Sequence, residues 1–240
     1  LPDFNPDEEY LQELKSPIYY AVQKDIDIRT GEPTLIDFDM QRISQRINII
    51  LNIRTEGDIK KEDLLPPIIE LSGACGHFNI SEACLDTTRL YRMVHQAQPD
   101  EFTQTGENTY RCVVHFHTLG VIPSAAKGHL NGPGILQVAL QVSANRLDAS
   151  GAPVLDQDGK PVKNSRYIYG AINPYDELTA AQLIEVRDGK TYLRYSKDDV
   201  NIEITSPLVI KADQIVSDDT GMGWQPNDPT NPDDDIIIEI

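Results

Sequence analysis

The sequence predicts a mainly β protein. It reads as a β-rich α+β chain, with an antiparallel sandwich or jelly-roll-like body, a few short helices and extended terminal segments. Three stretches carry this reading. Residues 183–215 break into short runs at Asp188-Gly189, Lys197-Asp198-Asp199 and Ser206-Pro207, and Val200, Ile202 and Ile204 alternate with Asn201 and Glu203. That two-residue period is the mark of a half-buried strand. In residues 109–118, Tyr110, Cys112, Val114 and Phe116 point one way, while Arg111, Val113, His115 and His117 point the other. In residues 135–147, Leu136, Val138, Leu140 and Val142 oppose Gln137, Ala139, Gln141 and Ser143, so one face meets a core and the other meets water or a polar partner.

Along the chain, Asn5-Pro6-Asp7-Glu8-Glu9 has the signals of a helix start: an N-cap Asn, Pro at the first helical position and acids in the first turn. Leu11 and Leu14 give that helix an apolar edge, so residues 1–16 are expected to form an N-terminal helical arm. Residues 17–216 are expected to form the β-rich body, with a sub-boundary near 99–108. Residues 18–23 and 25–29 read as strands ahead of a Thr30-Gly31-Glu32-Pro33 turn. Met40, Ile43, Ile47 and Ile50 then fall at helical spacing, whereas Ile47, Ile49, Leu51 and Ile53 alternate as in a strand. Both readings stay open at this point. Residues 81–98 read as a second helix, with Leu90, Met93, Val94 and Ala97 on one side and Pro99-Asp100 as its stop.

Residues 148–161 carry two turn signals, Ala149-Ser150-Gly151 and Asp156-Gln157-Asp158-Gly159. They predict an exposed hairpin arm in which residues 153–155 pair with residues 160–162. Residues 166–172 read as another strand. Residues 178–186 begin as a helix capped by Thr179, and Asp188-Gly189 turns their end back onto residues 191–195. Residues 217–240 are an acidic tail, broken by Gly221, Gly223, Pro226, Pro229 and Pro232, which ends in a mostly apolar pentad.

The formal charge is −17, from 38 acidic and 21 basic residues. Such a balance repels phosphate backbones and anionic lipid surfaces, so neither nucleic acid nor membrane insertion is expected. No apolar run approaches the length of a spanning helix. The opening residues do not have the pattern of a signal peptide, and the start at Leu1 leaves open whether a leader was removed. Of the three cysteines, Cys75 and Cys84 bracket a short loop and are placed to form a disulfide in an exported protein, while Cys112 reads as a buried strand thiol. Asn79-Ile80-Ser81 fits a glycosylation sequon.

Chemistry-bearing patterns are few. There is no Gly-x-Ser-x-Gly elbow, and residues 128–134 lack the ending of a phosphate loop. Asp156-Gln157-Asp158-Gly159 starts like a calcium loop, but Tyr167 stands where its last Glu belongs, and a plain hairpin turn is expected. The one candidate metal site is His115-x-His117: two residues apart on a strand, both imidazoles leave the same face. A third ligand would come from His129, Glu107 or His95, with His77 further away. The pair is similar to the His-x-His strands of cupins and α-type carbonic anhydrases. It departs from the first because 118–122 holds no Glu, and from the second because His129 lies in a Gly/Pro loop.

Residues 199–216 (DVNIEITSPLVIKADQIV) resemble the strand ladders of phage tail spike and baseplate proteins. That resemblance, to phage virion structural proteins of tail or capsid type, implies a structural subunit of a large assembly. It carries over no residue-level role. The exposed arm and a detached apolar terminal strand point the same way. Expected subunit contacts are Ile236, Ile237, Ile238 and Ile240 in the tail, Val154 and Leu155 in the arm, and Tyr167 and Tyr169 on one strand face. The expected partners are further copies and other subunits of one virion or extracellular assembly, with no cofactor. The alternative is an exported metal-dependent enzyme or carbohydrate-binding sandwich with a divalent metal on His115, His117 and His129 and with Glu107 as base or ligand.

Overall fold

A computed structural model describes residues 10–146, 148–194 and 199–212. Its strands run β1 (Tyr19–Tyr20), β2 (Gln41–Arg42), β3 (Gln45–Glu56), β4 (Ile68–Asn79), β5 (Cys84–Gln96), β6 (Phe102–Gly106), β7 (Thr109–Thr118), β8 (Leu136–Asn145) and β9 (Lys163–Ile172). A short helix α1 (Tyr175–Ala181) follows, then β10 (Ile184–Arg187), β11 (Lys190–Leu193) and β12 (Val200–Lys211). Two sheets form a β-sandwich: a six-stranded sheet in the order β10-β11-β5-β4-β8-β9 and a four-stranded sheet in the order β12-β3-β7-β6.

The core lies between the sheets and follows the alternation of the sequence. Ile47, Ile49, Leu51 and Ile53 of β3 and Tyr110, Cys112, Val114 and Phe116 of β7 are buried. They pack in one cluster with Ile69 and Leu71 of β4, Met93 of β5, and Leu136, Val138, Leu140 and Val142 of β8. The strand period therefore prevails over the helical one in β3, because Ile47, Ile49, Leu51 and Ile53 all reach the core on one face. Ile202, Ile204 and Ile210 of β12 join the same cluster. β12 pairs with β3 in parallel, whereas the neighbouring pairs within the two sheets are antiparallel. Its register shifts between Ile204 and Leu208, so Pro207, which has no N–H to give a ladder, falls at a bulge.

Four sequence expectations are corrected. Residues 84–96 form β5 rather than a helix: Leu90, Met93, Val94 and Ala97 have helical spacing, yet β4 pairs with this segment from Asn79↔Cys84 to Ile68↔Gln96. The described part of the N-terminal arm, 10–16, is extended rather than helical. Tyr10 bridges Arg92, and the Leu11 and Leu14 amides donate to the carbonyls of Arg92 (2.8 Å) and His117 (2.9 Å). The Cys75–Cys84 disulfide does not form, since the hairpin register sets Cys75 opposite Leu90 and Cys84 opposite Asn79, and all three thiols are free and buried. Finally, α1 begins at Tyr175, with Pro174 at its N-cap, so Thr179 lies within the helix instead of capping it.

Local chemistry explains the turns that join these strands. Gly73, at φ +83°, makes the bulge in β4 between Ser72 and Ala74, and its carbonyl accepts the Ile122 amide at 2.9 Å. At the β4–β5 tip the Asn79 side chain accepts the Ser81 amide (3.1 Å) and the Glu82 amide (3.2 Å). The loop at Asp156 is the plain hairpin turn expected. Its carboxylate accepts the amides of Asp158 and Lys160, and Leu155 bridges Pro161. Among the described residues, no helix is long and apolar enough to cross a membrane.

Candidate functional site

The structure does not bring His115, His117 and His129 together. His117 is buried, and both its ring nitrogens are engaged, Nδ1 with the Leu14 carbonyl at 2.8 Å and Nε2 with the Ser44 hydroxyl at 3.0 Å. A carbonyl only accepts, so Nδ1 carries the proton. The Ser44 oxygen accepts the Ile18 amide at 3.0 Å and meets Nε2 at 3.0 Å. His117 thereby fastens the N-terminal segment to β7. His129 lies in the 118–135 connection, where its carbonyl accepts the Asn173 amide nitrogen at 2.7 Å.

His115 belongs to a different cluster. On β7 it faces away from the core, toward His95 at the end of β5 and Glu101 in the β5–β6 turn. The His95 Nε2 to Glu101 Oε2 distance is 2.9 Å, and His115 Nδ1 lies 3.5 Å from Glu101 Oε1. The two rings are 5.1 Å apart, and the His95 ring meets Phe116 edge-on at 6.2 Å. The turn positions Glu101 through its own backbone: the Gln98 amide donates to Glu101 Oε2 at 2.8 Å, and the Glu101 carbonyl accepts the Val113 amide at 2.9 Å. Beyond His115, Glu13 Oε1 lies 3.6 Å from Nε2. Burial works against ionisation of Glu101, but the Gln98 amide, the His95 hydrogen bond and the two nearby imidazoles outweigh it and hold the carboxyl below the usual range. On the opposite face of β7, burial, reinforced by the Glu101 charge, pushes the Cys112 thiol up to about 12. Cys75 is likewise raised to about 12, chiefly by burial. Neither is a nucleophile.

The sequence named His115 and His95 but missed Glu101, which was hidden in the Gln98-Pro99-Asp100-Glu101 turn read as a helix stop. Glu107, offered as a third ligand, sits in the β6–β7 turn, where its carbonyl accepts the Gln104 side chain at 3.0 Å.

A second feature is a surface. β1 and β2 pair at Tyr19↔Arg42 and Tyr20↔Gln41, and the Ile43 amide donates to the Ile18 carbonyl at 2.9 Å, so residues 21–40 leave and return at one fixed base. Residues 22–40 are exposed throughout. Their large apolar side chains are Val22, Ile26, Ile28, Leu35, Ile36, Phe38 and Met40, with Ile28 78% and Leu35 88% exposed. Ile26 and Ile28, and Ile36, Phe38 and Met40, alternate with Asp25, Asp27, Asp37 and Asp39, a strand pattern with one apolar face. The 148–161 arm is exposed as well, with Leu155 open and Val154 half-buried. Tyr167 and Tyr169 stack on β9 with centroids 6.1 Å apart, Tyr167 exposed. The pentad residues Ile236, Ile237, Ile238 and Ile240 lie outside the described residues.

Two sheet edges lie close together. β9 and β12 are the outermost strands of their sheets. They face each other across the sandwich, where a Cβ on Gly170 would stand 3.3 Å from Leu208. A cleft of about 470 Å³ opens beside them, between Ile172, Ile204, Thr205 and the start of α1.

No family model matches the chain, and neither does any curated protein. Among solved structures it is similar to a provisionally assigned adhesin of Bacteroides ovatus ATCC 8483, with 7% identity and a TM-score of 0.40 over 84% of this chain. The chain spans about 60% of that protein's length.

Proposed function

We propose that this chain is a structural subunit of a virion or extracellular assembly, and that its copies join when an exposed arm of one pairs with a sheet edge of another. The observation that carries this reading is the segment 22–40, pinned at its base by β1 and β2, with seven large apolar side chains exposed. Soluble monomers rarely expose an apolar surface of this extent.

Magnitudes decide what kind of partner fits. Burying the seven apolar side chains of the arm releases about 10–20 kcal/mol gross, at roughly 1.5–3 kcal/mol each. Ordering the arm costs on the order of 1–2 kcal/mol per residue. Over the 19 residues 22–40 that cost exceeds the side-chain gain by roughly twofold, so the backbone must also gain hydrogen bonds. An unpaired strand edge supplies them. Among the described residues, β9 and β12 each offer such an edge, with 10 and 12 residues. With both edges and arms on one chain, a copy carries the two halves of a head-to-tail contact, which propagates into a ring or filament.

Lys24 and Arg29 make the contact measurable, since both are exposed tryptic sites within the arm. Cleavage after Lys24 and Arg29 is expected to be rapid in dilute protein and slowed at least tenfold once copies assemble at high concentration. Equal rates at all concentrations would remove the arm from the contact.

A further inference from the structure

We propose that His95, Glu101 and His115 form a binding site for a divalent transition metal ion of the zinc type. The three side chains come from β5, the β5–β6 turn and β7, and one ligand atom of each lies within 4.8 Å of the others. Among the described residues this is the one such group of three.

The geometry needs little adjustment. Tetrahedral zinc with bonds near 2.0–2.1 Å holds its donors roughly 3.3 Å apart. Here Glu101 Oε2 stands 2.9 Å from His95 Nε2 and its Oε1 3.5 Å from His115 Nδ1, so a small turn of the carboxylate gives both imidazoles a common centre with it. An ion between them replaces the shared proton by three bonds, and a fourth ligand would come from water, as at three-ligand zinc sites. The orientation of His115 supports the same reading. Glu13 Oε1 lies 3.6 Å behind its Nε2, where a carboxylate favours the tautomer that leaves Nδ1 free to face the cluster. A carboxylate behind a metal-bound imidazole is the usual arrangement for fixing its tautomer and ring position. Glu101 is fixed in turn by the Gln98 amide at 2.8 Å.

The donor set names the ion class. Two imidazoles and a single carboxylate suit zinc, cobalt or nickel, whereas calcium and magnesium require mostly oxygen ligands. The site also has a structural consequence. Glu13 and Leu14 belong to the segment laid along β7, so a metal that polarises the His115 ring would draw the Glu13 carboxylate closer and hold that segment down.

The test is calorimetric titration of zinc chloride into metal-stripped full-length protein near neutral pH, with thermal melts by circular dichroism for every variant. The expected result is one tight equivalent that excess calcium or magnesium does not displace. The affinity should fall at least tenfold in His95→Gln and in Glu101→Gln, and hold in His129→Ala. Cobalt(II) gives a readout that needs no variant: the intense visible bands of a four- or five-coordinate ion. The site is overturned if wild-type protein binds no zinc, if cobalt shows only the weak spectrum of a hydrated ion, or if binding survives both cluster substitutions. Loss of binding in His117→Gln while the cluster variants still bind would overturn it equally.

Discussion

Gly73→Ala is expected to lower the stability of the fold by about 2–5 kcal/mol, a drop in Tm on the order of 10 °C for a domain of this size. Two costs contribute. At φ +83° an alanine pays roughly 1–2 kcal/mol for the left-handed conformation. Its Cβ would also stand 2.7 Å from both the Gly134 nitrogen and the Ile122 oxygen and 2.9 Å from Pro133 Cβ. Those are mainly backbone atoms of the connection that hydrogen-bonds back onto this bulge, so the clash moves a whole segment, at a further cost of about 1–3 kcal/mol. Gly151→Ala is the internal control. It has a similar φ of +82° with nothing within 4 Å, and only the conformational part of the loss is expected. Equal melting temperatures for the two variants would mean that the stitched bulge is not a structural joint.

Phe116→Ala is expected to cost about 3–5 kcal/mol, the range for emptying a large aromatic site in a packed core. Phe116 is 1% exposed, lies in the cluster shared by both sheets, and braces the His95 ring edge-on. Three residues earlier on the same strand, Val113 is 36% exposed on the outer face, and Val113→Ala should change stability by less than about 0.5 kcal/mol. Denaturant melts of the two variants check the one-sided burial of β7. Comparable losses would contradict it.

β7 was legible because a half-buried strand writes its burial into the sequence with period two, and Tyr110, Cys112, Val114 and Phe116 are all core residues. The same signal gave β8, β9 and the first half of β12. β5 was not legible, because Leu90, Met93, Val94 and Ala97 fit a helix equally well. What makes the segment a strand is its pairing with β4, which local propensity does not encode. The Leu11–Leu14 stretch failed for a related reason: the Leu11 and Leu14 amides find partners on β5 and β7, so the chain lies extended although its composition favours a helix.

The cluster of His95, Glu101 and His115 was half visible. His115 stood out by its spacing to His117, but that spacing is where the reading misled. His117 turns to the Leu14 carbonyl and Ser44, while His115 meets side chains from another sheet and a turn. Such convergence is a product of the two-sheet packing and leaves no mark in local sequence. Within the 22–40 arm the sequence marked only residues 25–29, as a strand, and the described chain there forms none. That no described part of the chain covers the arm is visible only in the fold.

The measurement that tests the account most directly is mass in solution by light scattering across a concentration range. It compares the full-length chain, an Ile26→Ser/Ile28→Ser/Phe38→Ser variant and a chain ending at Asp235. The full-length chain is expected to assemble as concentration rises, and the arm variant to stay monomeric with an unchanged melting temperature. Loss of assembly in the shortened chain would make the terminal pentad a second clasp. A full-length chain that remains a monomer at every concentration, or an arm variant that assembles as well as the wild type, would contradict the account.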